Sequence, residues 1–171
     1  TPTLSSAASD VYKRQDEQDG LWSYFSKDGS VAEEITFSGG KRDGRSTVWL
    51  TPEEKQEEKF YKNGKLDGPS TFWENGYRST MTTYKSDSPE GPWVIWFSNS
   101  DQIKEQGFHQ KGIREGLTTY YYEDGTMQRE GFFKEGLPDG MWTYWNKEGE
   151  KDFDFDFGSG LQHISLEDLV E

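Results

Sequence analysis

The sequence predicts an all-β protein, an elongated antiparallel β-meander of six tandem hairpins of about 24 residues, ending in a short C-terminal cap or helix. Three observations lead there. An acid–glycine pair recurs at nearly constant spacing, an aromatic residue follows each glycine at a fixed distance, and turn-forming residues interrupt the chain too often for helices.

The pairs are Asp19-Gly20, Asp43-Gly44, Asp67-Gly68, Glu90-Gly91, Glu115-Gly116 and Asp139-Gly140, with glycine spacings of 24, 24, 23, 25 and 24. Five residues after each glycine stands a ring: Phe25, Trp49, Trp73, Trp96, Tyr121 and Trp145. Turn residues precede five of the glycines by four positions, at Gly40, Gly64, Asp87, Gly112 and Gly136. A second turn lies eight or nine residues past the glycine, as at Asp28-Gly29, Asn75-Gly76, Asp124-Gly125 and Glu148-Gly149. Gly takes positive φ freely and Asn or Asp tolerates it, so these pairs suit hairpins. The intervals between turns hold strands of five to seven residues, each unit being one hairpin.

Composition limits the partners. The 171 residues carry 19 Lys and Arg against 32 Asp and Glu, a net charge of −13. Nucleic acid and anionic membrane need a basic footprint and are excluded as partners; a basic protein is compatible. Leu, Ile, Val and Phe together make 30 of 171 residues, a level that with this charge indicates disorder, yet aromatics reach 16 %. The expected core is therefore aromatic. The absence of Cys removes disulfides and thiolate metal sites and leaves the compartment open between cytoplasm and export.

The stretches FYKNGKLDG (60–68), FHQKGIREG (108–116) and FFKEGLPDG (132–140) resemble the Y-x-N-G-K-x-x-G core of MORN repeats. More narrowly they resemble the bacterial MORN-variant family often named YwqK-like antitoxin components. The likeness covers about residues 20 to 160; Ser38-Gly39 ahead of Gly40, and Asp87 in place of a turn glycine, depart from it. The resemblance implies an extended β-repeat array that binds or scaffolds without catalysis, an antitoxin-like binder whose partner would be a toxin-like protein.

Strand alternation places the second and fourth positions after each anchor glycine on one face and the fifth on the other. The fifth column, aromatic in every unit, is expected to stack ring on ring. The second column varies: Trp22, Ser46, Ser70, Trp93, Thr118 and Trp142. Such variation points away from packing, and Trp22 and Trp93 flanking Ser46 and Ser70 would frame a groove for an extended peptide or a glycan. Trp22, Tyr24, Ser46, Ser70, Trp93, Trp142 and Tyr144 are the expected ligand-facing residues; scattered exposed tryptophans are the competing reading.

Residues 1–19 lack the repeat; SAASDVYKRQ reads as translated assembly sequence, and this leader is expected to be disordered. In KDFDFDFGSG (151–160), D-x-D-x-D fails as a calcium loop, having Phe157 for the turn glycine and His163 for the final Glu. A solvated acidic strand face is expected there. Residues 161–171 form an acidic tail in which Ser165 would cap a short helix. No nucleotide, hydrolase or zinc motif occurs, and His109 and His163 are the only histidines, so no catalysis, cofactor or metal is expected. The array is read as a protein-binding module, with a glycan-binding array or a self-associating scaffold as alternatives.

Overall fold

The computed structural model describes residues 17–158. They form one open antiparallel sheet in which each strand pairs with its neighbours in sequence, except at one broken strand. Its strands are β1 (Gly20–Phe25), β2 (Val31–Ser38), β3 (Lys41–Trp49), β4 (Lys55–Lys62), β5 (Lys65–Glu74), β6 (Tyr77–Lys85) and β7 (Ser88–Trp96). They continue as β8 (Ile103–Gln110), β9 (Ile113–Arg114), β10 (Gly116–Tyr121), β11 (Met127–Lys134), β12 (Leu137–Trp145) and β13 (Lys151–Asp156). The all-β meander expected from the turn spacing is what forms, and no helix occurs among the described residues. Thirteen strands appear where six hairpins give twelve, because β9 and β10 both pair with β8 as halves of one strand broken at Glu115, whose amide donates to the Phe108 carbonyl at 2.9 Å. The expected C-terminal helix, and the leader up to residue 16, lie outside the described residues.

The tight turns are two-residue connections with positive φ at both central positions, for example Asn63 (51°) and Gly64 (84°), or Lys111 (52°) and Gly112 (85°). That is the type I′ geometry whose twist matches the flanking strands. The anchor glycines themselves lie inside strands. Between Ile35↔Ser46 and Phe37↔Arg42 the register of β2 and β3 slips by two residues, and Gly44 sits in this bulge with φ of 111°.

The acid before four of the anchor glycines has a separate task. Asp43 accepts a hydrogen bond from the Asn63 amide at 2.9 Å, Glu90 from Lys111 at 2.9 Å and Glu115 from Glu135 at 2.9 Å. The next turn amide donates to a main-chain carbonyl, as Gly64 does to Arg42 and Gly136 to Arg114. Both amides of a tight turn are thus satisfied by the preceding hairpin, which otherwise would leave them to solvent. The acid–glycine motif is the joint between units.

Candidate functional site

The two faces of the sheet differ sharply. The second-column residues form the centre of one face, and cross-strand pairing makes them a continuous row. In the C-terminal half the row runs Trp93↔Gly107, Thr118↔Gly131 and Trp142↔Phe155. Trp93 and Trp142 are 3 % exposed and Thr118 is fully buried. Each indole lies over a strand glycine: a Cβ at Gly107 would stand 2.8 Å from Trp93 Cζ2, and one at Gly131 would overlap three atoms of the Trp142 ring. Neither glycine has positive φ, so close approach alone selects it. Toward the N-terminus the row is Trp22↔Ile35↔Ser46↔Lys59↔Ser70, with Ile35, Ser46 and Ser70 buried.

This placement corrects the expected ligand groove. Ser46, Ser70, Trp93 and Trp142 are packed beneath their neighbours, while Trp22, Tyr24 and Tyr144 are half-buried. The column varies because it is packed: Trp93 and Trp142 each lie against a glycine of a neighbouring strand, while Ser46 and Ser70 fill narrower places in the same row. Ring contacts gather on this face. Trp142 meets Phe133 edge-on at 5.3 Å and Phe157 at 5.7 Å, and Tyr144 stacks on Phe153 at 4.5 Å. The Trp142 Nε1 donates to the Phe132 carbonyl at 3.2 Å.

The fifth column lies on the opposite face, but its rings do not stack on one another. Consecutive rings are two strands apart, about 9.6 Å at ordinary strand spacing, and the intervening strand supplies a spacer. Val31 pairs with Phe25, Lys55 with Trp49, Arg78 with Trp73, Ile103 with Trp96, Met127 with Tyr121 and Lys151 with Trp145. The Lys55 ammonium stands 5.7 Å from the Trp49 ring and 5.5 Å from Trp73, and Arg78 lies 4.7 Å over Trp96. Ring-on-ring packing is replaced by a ladder of rings and spacers, two of them cations bound through the ring quadrupole.

That same face carries a polar row, Thr119↔Glu130↔Thr143↔Asp154. Beside it, toward the tight turns, lies an apolar strip outside the second and fifth columns. Phe108, Ile113, Leu117, Phe132, Leu137 and Met141 are between 45 and 56 % exposed. The equivalent triads at the three earlier joints are Thr36, Lys41 and Arg45, then Phe60, Lys65 and Pro69, then Thr83, Ser88 and Pro92, so a wholly large-apolar triad occurs only at the last two joints. Reading the three columns unit by unit would have revealed it. Glu130 and Asp156 border the strip. A second feature is a cleft of about 480 Å³ lined by Phe97, Tyr120, Tyr121, Tyr122, Arg129 and Lys147, among others. Two of its rings are pinned: Tyr121 Oη accepts from Gln106 Nε2 at 2.8 Å, and Tyr122 Oη donates to the Trp145 carbonyl at 3.0 Å.

No cluster of His, Cys, Asp or Glu among the described residues is arranged to hold a metal. His109 tilts against Trp93 at 5.7 Å, and burial, with the nearby Arg114 guanidinium, holds its pKa below 6.5. The unfolded chain therefore takes up this proton first as pH falls, so stability is full above about pH 6.5 and declines below it. His109→Gln is expected to flatten the decline below about pH 6.5, read from urea midpoints on both proteins. An unchanged slope would assign the decline to other groups.

The fold and its surfaces define a repeat protein that presents two unlike sheet faces. The MORN repeat variant family matches residues 18–38 and 114–135, corresponding stretches of the first and fifth hairpins, which supports a MORN-repeat protein. Repeats of this kind are commonly protein- or membrane-binding modules and are generally non-enzymatic. No match to a curated protein was found. No helix of the described residues is long and apolar enough to cross a membrane.

Proposed function

We propose that the chain is a non-catalytic docking module that binds a protein through the apolar strip of its last three hairpins. The carrying observation is the grouping of six exposed apolar side chains on one face of the last three hairpins, where the first joint has Thr36, Lys41 and Arg45. Contiguous apolar surface of this kind marks interaction sites. The acids beside the strip and the net charge of −13 favour a partner segment whose apolar residues are flanked by Lys or Arg. Antitoxin-like capture of a basic partner is one form of this activity; anionic membrane is disfavoured by the same charge.

The test is an array of synthetic peptides differing in apolar content and charge, probed with the full chain. Peptides with apolar residues between basic flanks are expected to bind, more weakly at about 0.5 M salt, where charges beyond a few ångströms are screened. Leu117→Lys combined with Phe132→Lys is expected to abolish the binding. Binding indifferent to salt and to this pair, or preference for phosphatidylserine vesicles, would overturn the reading. The tyrosine cleft favours a second reading, a glycan site, since pinned rings offer platforms for sugar faces. That reading requires soluble oligosaccharides to change tyrosine emission and Tyr122→Ala to remove the change.

A further inference from the structure

Two strands end the sheet, and they are guarded unequally. β13 reads KDFDFD, with four charges in six residues. β1 reads GLWSYF and has none, nor a proline. Native edge strands are normally protected by such charges or prolines against pairing with another chain. The chain entering β1 leads away from its outer side: the Gln18 carbonyl accepts from the Gly40 amide at 2.9 Å, over the β2–β3 turn. Leu21 and Phe25 are 57 and 51 % exposed, and Trp22 is half-buried where its column mates Trp93 and Trp142 are 3 % exposed. Trp22 lacks a strand on its outer flank among the described residues.

Pairing parity says which groups that missing strand would meet. The two-residue turn closed by Ser38 and Lys41 makes Phe37↔Gly20 and Ile35↔Trp22 hydrogen-bonded pairs of β1 and β2. The amides and carbonyls of Leu21, Ser23 and Phe25 therefore point outward. We propose that β1 pairs antiparallel with β1 of a second copy of this chain, about a two-fold axis at Ser23. This register puts Leu21 opposite Phe25 of the other copy and Ser23 opposite Ser23, all hydrogen-bonding pairs. Trp22 then faces Tyr24 of the other copy on the tryptophan face. Every outward group of the strand finds a partner, and each apolar side chain meets another. Tyr24 now accepts only a long 3.4 Å bond from Gln18 Nε2, which the new ring contact can replace.

A second copy suits this edge because the contact is neutral and self-complementary, whereas joining β1 to β13 would set it against Asp152, Asp154 and Asp156. Such a two-fold contact closes on itself, and a β1-to-β13 contact would propagate into a filament. With one strand per partner the interface falls in the small, transient class, below about 1,200 Å² in total.

The experiment is sedimentation of the full chain from about 1 to 200 μM, a range matched to weak interfaces. The expected result is reversible passage from 19.8 kDa to twice that mass, with no larger species. Ser23→Pro removes the central outward N–H and leaves pairing to β2, and Leu21→Lys places a charge on the edge. Each is expected to weaken dimerisation at least tenfold while circular dichroism stays unchanged. The inference is overturned by a monomer throughout the range, by a dimer insensitive to both substitutions, or by mass that keeps rising beyond the dimer. A dimer formed only after deletion of residues 1–16 also overturns it for the intact chain. None of these results bears on the apolar strip, whose peptide binding is measured separately.

Discussion

Replacing Gly131 by alanine is expected to destabilise the protein by about 3 kcal/mol, the upper part of the range for overpacking a dense interior. The added methyl would overlap the Trp142 indole, which is held from three sides. Its Nε1 is bonded to the Phe132 carbonyl, and Phe133 and Phe157 meet it edge-on. The ring cannot swing aside without losing those contacts, and the strand cannot retreat without breaking its ladder. For a chain of this size the loss corresponds to roughly 6–12 °C in Tm. Trp142→Leu in the Gly131→Ala background is expected to restore part of the loss, with a coupling of about 1–2 kcal/mol in a double-mutant cycle. Additive effects would show that the two residues do not share space.

The anchor glycines are expected to split into two groups despite occupying one column. Gly68 has φ of 124°, and a Cβ there would stand 2.9 Å from Phe60 Cβ. Gly68→Ala therefore meets backbone strain and a clash together, roughly 3 kcal/mol in sum. Gly140 has φ of 64°, in the left-handed helical region, and open space around it. Gly140→Ala is expected to lose only about 1 kcal/mol, and Asn should be tolerated better still. Gly44 and Gly91 belong with Gly68, since Thr36 and Thr83 approach them to 3.1 Å, while Gly20 and Gly116 belong with Gly140. Because a repeat array can unfold in parts, hydrogen exchange of the flanking amides is the suitable measurement. Equal losses at Gly68 and Gly140 would refute the division.

The spacing of glycines made the hairpins legible, since few structures other than a meander place turn signals every 11 to 13 residues. The opposed faces of the second and fifth columns followed from strand alternation. Which face closes over its own side chains did not follow, because both carry rings and variation in a column resembles freedom from packing. Trp93 and Ser70 occupy equivalent positions and are equally buried. The available signal was Gly107 and Gly131, which interrupt strands away from any turn and so mark places where another group comes close. The acid of each acid–glycine pair was legible as a motif but not as a cap, because its partner is about 20 residues onward in the next unit.

Those caps all point in one direction along the chain. Asp43 serves Asn63, Asp67 serves Ser86, Glu90 serves Lys111 and Glu115 serves Glu135, so the acceptor is always synthesised before its donor. A ribosome emitting this chain would present each new turn to a docking place already complete, in the order in which chains emerge. Shortening the array by whole hairpins from its C-terminal end strands no turn amide. Removing a hairpin from the other end leaves the next turn without its acid, and growth of the array is accordingly easier downstream than upstream.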